Sequence, residues 1–548
     1  MKHAHRFRII AFLVCIAVIG GVFAACTSGD PNATSTTPST AAATDSTDAA
    51  SSAAGSQPPT NQDVVKLRFF QEEIWWPYTT WEGRIPEKIT EKTGVALEVT
   101  IAADMNALNL MIASGDMGDL ISSGQLFTRL SDSNLCYNWD ELNQEYYGRD
   151  FEIHSATRFV NTAPDGNLYT VFVGFSPDCE WEANPKGVLE GAGLVVREDL
   201  LEEFGNPEVK TIADIENLMA QCKAAHPDIV PITFNIIYDA QILKILMGSS
   251  YQTTGFIDMD GKPKVFLKDP RLWPVYEKIN EWYRLGYISD ENLAFTQDSQ
   301  DYDWMLNGKQ MFASFHSAIA DGWNRDLKAA GSPYRVKQLY DFEEPDAKNI
   351  VGNGAGWRGM FIPKSCANPK AAIDFVNYMF TEEGRHLALW GEEGIDWNWN
   401  EDKTYPILNY GSNRDGEDGY GQHGIKIWGF LNHQGFDNSL HLYGQDDSDA
   451  TMGARQWLTD IAEINPVTAM IRLTPDSKEA VAMAKIEDLY KNMQVEIYTA
   501  PTAEAAREKY EEMLRLADEL GALDLEAWAE PQYTNKKIEY DRIRGNLS

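Results

Sequence analysis

Apolar and polar positions alternate through Val64-Val-Lys-Leu-Arg-Phe-Phe70, the period-two mark of a strand with one buried face. After an aromatic loop, residues 83–93 take helical spacing and close on Gly94, and residues 96–101 predict a second strand. Leu108, Met111 and Ile112 recur one helical turn apart, Gly115 is a stop signal, and Asp119-Leu-Ile121 opens a further short strand. Such alternation of strand and helix predicts an α/β fold, a mainly parallel sheet with helices on both faces. Asp119 then stands at a sheet edge, where ligands collect in open α/β sheets; capping a turn is its other reading.

The same patterns continue along the chain. Residues 168–174 predict a strand, 193–201 a strand running into a helix, 210–226 a helix opened by Thr211, and 231–234 a buried strand. Within 270–286 the apolar face of Leu272, Val275, Tyr276, Ile279, Trp282 and Tyr283 reads as core or groove wall. Helices are predicted over 369–389, with proline in its first turn, and over 502–520 before Gly521. The chain shows no internal repeat.

The N-terminus changes the picture by adding an address. Lys2, Arg6 and Arg8 precede an apolar run over 9–22 and the small-residue seam Phe23-Ala24-Ala25-Cys26, which reads as an export signal. Its end resembles a bacterial lipobox, with Phe23 where leucine is usual, so residues 1–25 are expected to be cleaved and Cys26 lipidated. Residues 27–62 are Ser, Thr, Ala, Gly, Pro and Asp with little to bury, a disordered tether with a reach of roughly 30 to 35 Å.

The remaining body is large enough for two full cores. The chain carries 47 Lys and Arg against 82 Asp and Glu, a formal net charge of −35, which argues against nucleic acid and acidic lipid as partners. Cys136, Cys179, Cys222 and Cys366 are widely spaced and form no zinc pattern; disulfides and buried free thiols both remain open.

In order along the chain, Glu91-Lys-Thr-Gly94, Asn109-Leu-Met-Ile-Ala-Ser-Gly-Asp116, Gly193-Leu-Val-Val-Arg-Glu-Asp-Leu-Leu201, Gly308-Lys-Gln-Met311, Phe380-Thr-Glu-Glu-Gly384 and Gly394-Ile-Asp-Trp397 resemble the extracellular solute-binding proteins, family 1, of ABC importers. The likeness extends over nearly the whole body and is strongest to the large lipoprotein type of Gram-positive bacteria. One departure is Gly118, where the family commonly has proline before the acid. The resemblance implies a type II periplasmic-binding-protein-like fold: two lobes joined by a hinge, each a mainly parallel sheet flanked by helices. It divides the body into 63–180 with 356–405 and 181–355 with 406–548, with crossings near 173–193, 352–360 and 397–411. It further implies a monomer tethered outside the cell membrane, which takes a sugar or oligosaccharide and hands it to ABC permease subunits.

The residues suit that ligand independently. Sugar rings offer apolar C–H faces and a belt of hydroxyls, so their sites need flat aromatic platforms and planar polar groups. The 16 tryptophans are many, and those in loops near expected lobe edges are the candidates: Trp75 and Trp76 with Glu72 and Glu73 beside them, Trp181, Trp323, Trp357 and Trp397. Asp119, Asp239 and Arg358 complete the set; core packing is the competing role for each tryptophan, and an ion pair for Arg358. If Arg358 faces the cleft an acidic sugar is conceivable, although the surrounding acids favour a neutral one. No hydrolase elbow, metalloprotease helix or phosphate loop is present, and Asp258-Met-Asp-Gly261 and Asp415-Gly-Glu-Asp418 read as turns rather than calcium loops. The expectation is a binding protein without enzyme activity, metal or cofactor; an exported glycoside hydrolase and a peptide- or signal-binding lipoprotein are the alternatives.

Overall fold

A computed structural model describes residues 64–545 except 75, 105, 125–126, 176–190, 236–238, 251, 298, 318, 344–354, 404–405, 411–422, 426–427, 432–448 and 462–464. The signal, Cys26 and the tether therefore lie outside the described residues, as do Trp75, Cys179, Trp181 and Asp415-Gly-Glu-Asp418.

The first strands form where alternation predicts them: β1 (Val65–Gln71), β2 (Val95–Ile101), β3 (Leu120–Ser123) and β4 (Phe172–Phe175). Then follow β5 (Ala192–Arg197), β6 (Val230–Phe234), a hairpin of β7 (Phe256–Met259) and β8 (Lys262–Val265), β9 (Gln310–His316), β10 (Val336–Leu339) and β11 (Ala355–Phe361). They build two principal sheets, ordered β2-β1-β3-β11-β4 and β10-β5-β9-β6. Pairs β1–β2, β1–β3 and β6–β9 are parallel; the strands that travel between the sheets, β11 and β5, add antiparallel pairs, as β10 does.

Each sheet buries both faces. Leu67, Phe69, Leu120 and Met360 point into one core with the helix Pro369–Met379, while Phe70, Ile121 and Phe361 point into another. In the second sheet Leu194, Val196 and Phe312 face the C-terminal helices, and Val195 and Ala313 face the helix Ile319–Ala329. This alternation is why a one-residue slip is excluded: it would turn every apolar side chain to the wrong core.

Local chemistry sets the boundaries. Thr211 accepts from the Asp214 amide and Asp214 caps back onto Thr211, closing a capping box at the head of Ile212–Ala225. Gly115, at φ 77°, ends the helix Ala107–Ser114 in a left-handed turn that a side chain would strain. The single helix expected over 369–389 is two, Pro369–Met379 and Glu382–Trp390, because Thr381 caps the second by accepting from the Gly384 amide. Asp258-Met-Asp-Gly261 is the β7–β8 turn, with the Gly261 amide donating to the Asp258 carboxylate.

The chain passes from the first sheet to the second between Phe175 and Ala192 and returns between Leu339 and Ala355. Ile425, Trp428 and Leu431 are buried in the first core, where Trp428 meets Trp76, Trp81 and Tyr78, and the helix Asp449–Ile461 lies beside β10. No periodicity in the sequence around Trp428 announces this burial. Cys136, Cys222 and Cys366 are buried free thiols; burial pushes Cys222 up to about 11 and Cys366 to about 12, which leaves them unreactive. Among the described residues no helix is long and apolar enough to cross a membrane.

Candidate functional site

Parallel strands leave backbone groups unpaired at their carboxyl ends, and side chains from successive loops converge there. In the first sheet that edge gathers Glu72 and Glu73 after β1, Ser123 and Gly124 at the end of β3, and Trp357 and Arg358 from β11, whose antiparallel run brings its first residues to the same edge. In the second sheet Ala192 pairs with His316 and Phe234 with Ser314, so Asn235, Asp239 and Phe315 share one edge. The chain leaves the first sheet at the carboxyl end of β4 and enters the second at the amino end of β5. It returns from the carboxyl end of β10 to the amino end of β11. Both connections therefore run between these same two edges.

On the first edge a guanidinium organises the rest. Arg358 is fully buried and donates to the Glu73 carboxylate at 2.9 Å. Its plane lies 4.5 Å from the Trp76 ring centre and 4.3 Å from that of Trp357, each contact contributing about 0.5 to 2 kcal/mol. Trp76 is 4% exposed and Trp357 is 42% exposed, so one indole anchors the stack in the core while the other presents itself to solvent. Burial raises the Glu73 carboxyl above its ordinary range, against the lowering pull of Arg358. Glu72 accepts from the Ser123 hydroxyl at 2.6 Å and the Gly124 amide at 3.1 Å. A Cβ on Gly124 would strike the Trp357 carbonyl, so only glycine lets β3 end against this platform.

On the second edge Asp239 adopts φ 40° and its carboxylate pairs with Lys244 at 3.2 Å and accepts from Gln494 at 2.6 Å. Lys244 is fully buried and also donates to Tyr490. Nothing in the sequence singles out Lys244, a lone cation in the apolar helix Gln241–Leu246; Glu73, by contrast, is signalled by its place beside Trp75 and Trp76.

The structure brings Trp76, Trp357 and Arg358 together and puts Asp239 on the facing edge, but places three sequence candidates elsewhere. Asp119 lies at the amino end of β3, the opposite edge, where its carboxylate accepts from the Arg68 and Ala367 amides at 2.8 and 2.9 Å. Trp397 is buried against Trp390 and Trp399 and donates to the Gly391 carbonyl. Trp323 is 4% exposed and packs on Phe315 and Tyr302, behind the second edge rather than on it. Trp76 itself is a core ring, not an open platform. Among the described residues no group of three or more His, Cys, Asp or Glu side chains could hold a metal ion.

No family model matches the chain. The chain is 21% identical over 423 residues to the polygalacturonan/rhamnogalacturonan-binding protein YtcQ of Bacillus subtilis (strain 168), spanning 73% of this chain and 76% of that protein. Among solved structures it is similar to alginate-binding protein AlgQ2 (TM-score 0.61, 15% identity, 87% of this chain and 99% of that one). It is also similar to the Streptococcus pneumoniae ABC-transporter substrate-binding protein FusA in complex with kestose (TM-score 0.62, 16% identity, 88% and 100%). A third likeness is to an HMO-binding, ABC-transporter-associated solute-binding protein of Bifidobacterium longum infantis (TM-score 0.57, 12% identity, 86% and 98%). Likeness at this level of identity shows the fold, and it covers nearly the whole described body.

Proposed function

From a chain that has the two-lobed fold of the ABC-transporter solute-binding proteins, we propose a substrate-binding protein that captures a sugar or oligosaccharide between the two strand edges and delivers it, unaltered, to a membrane permease. The observation that carries this is the exposed indole of Trp357, fixed at the edge by the guanidinium behind it. A half-exposed rigid ring beside carboxylates is what an apolar sugar face with flanking hydroxyls requires. Residues 63–180, 356–405 and the segment through Leu431 would form one lobe, and the second sheet with the C-terminal helices the other. A ligand that touches both edges favours the closed arrangement by its differential contacts. Cys26 would carry the lipid that keeps the monomer at the outer face of the cell membrane.

No catalytic role falls to the edge carboxylates in this reading. Glu73 is committed to Arg358, Asp239 to Lys244, and Glu72 to Ser123 and Gly124. A hydrolase needs one carboxyl poised to give a proton to the leaving oxygen and a second free to attack or to activate water. The test is a thermal-shift screen of the ectodomain against mono- and oligosaccharides, with peptides as the control arm. Binding raises the melting temperature as the logarithm of ligand concentration. A response to sugars alone supports the proposal, and a response to peptides alone overturns it.

A further inference from the structure

Among the described residues, each edge carries a buried cation paired with a carboxylate. Arg358 is ion-paired with Glu73 at 2.9 Å, and Lys244 with Asp239 at 3.2 Å; both cations are fully buried. Glu72 adds a third carboxylate, which accepts from a hydroxyl and an amide. A neutral ring stacked on Trp357 meets an aromatic face and hydrogen-bond acceptors. A uronate chain brings a carboxylate with every residue to edges where Arg358 and Lys244, among the described residues, are buried and ion-paired, and does so against a protein of net charge −35. Recognising a planar carboxylate takes a guanidinium with its fork turned outward. Here the guanidinium is fully buried, with Nη1 on the Glu73 carboxylate and Cζ over two indoles.

Resting on the carbohydrate reading above, we infer that this site selects neutral glycans over uronate-bearing ones, and that Glu73 and Arg358 are the positioning pair that sets this selectivity by holding Trp357 in place with their charges cancelled. Arg358 does not read the ligand; it orients the ring that does. Glu73 supplies the charge that keeps the guanidinium from attracting an anion.

The test is calorimetric titration of the ectodomain with neutral malto-, manno-, xylo- and fructo-oligosaccharides of three to six units. Oligogalacturonates and oligoguluronates of matched length form the charged arm, each run with and without calcium chloride. At least one neutral ligand should bind tenfold or more tightly than any uronate. A uronate that binds more tightly, with or without calcium, overturns the inference and leaves the carbohydrate reading standing; no binding in either arm overturns that reading and the inference with it. The second measurement uses Glu73→Gln, which keeps the shape and leaves Arg358 its positive charge. The ratio of uronate to neutral affinity should rise at least tenfold. An equal loss in both arms, or an unchanged ratio, would make Glu73 merely structural and contradict the proposal. Arg358→Lys, which keeps the charge but loses the planar stack, should weaken the neutral ligand while the melting temperature shows the variant folded.

Discussion

At the scale of single residues, Trp357 is where exposure and rigidity meet. Its ring lies over Arg358 and is 42% exposed, so Trp357→Ala should weaken the best neutral sugar at least tenfold, about 1.4 kcal/mol. Because the ring is 42% exposed, the melting temperature should hold; titration calorimetry beside a thermal melt checks both halves. His386 carries a different consequence. It stacks on Trp390 at 4.3 Å, and burial lowers its pKa to about 4. The unfolded chain takes up this proton near pH 6.5 while the folded chain resists it until about pH 4, so stability is present above 6.5 and lost as pH falls through that window. His386→Phe should flatten the loss between pH 6.5 and 4 with little change at pH 7.5, measured by denaturant unfolding across that range.

At the scale of elements, the first sheet and the C-terminal helices are joined by more than the crossing strands. The short helix Ser155–Asn161 precedes β4, yet Ala156, Phe159 and Val160 lie in the second sheet's core, where Phe159 stacks on Tyr540 of the helix Ala522–Gly545. Arg472 completes the joint. It donates to the Val160 carbonyl at 2.6 Å and the Thr162 carbonyl at 3.4 Å, and stacks over Phe127. Desolvation lowers its pKa to about 9. Hydrogen bonds from a charged donor contribute about 1.5 to 3 kcal/mol, so Arg472→Met should cost that much in denaturant unfolding. A loss below 0.5 kcal/mol would show the joint to be incidental. Elements whose evidence is local were legible in the sequence: β1 from its alternation, the helix Ile212–Ala225 from Thr211, the helix end at Gly115. What tertiary contact decides was not. Thr381 splits an apparently continuous helix by offering its hydroxyl to Gly384, and Trp428 is buried in the first core.

At the scale of the whole molecule, the sequence order of the motifs was enough to point to two lobes, because sheet connectivity follows chain order. It was not enough to locate the site. Which tryptophan is open and which is core depends on residues far apart in sequence: Arg358 lies 285 positions from Glu73, and no spacing rule links them. Asp119 shows the same limit in reverse, since only the strand direction says which edge it occupies. With the edges located, capture without chemistry makes one central demand, testable by a single calorimetric titration of the ectodomain with a neutral oligosaccharide carried well past saturation. A 1:1 isotherm whose heat stops at the equivalence point is the predicted result. No saturable heat, or heat that continues after equivalence as bound sugar is turned over, would contradict it.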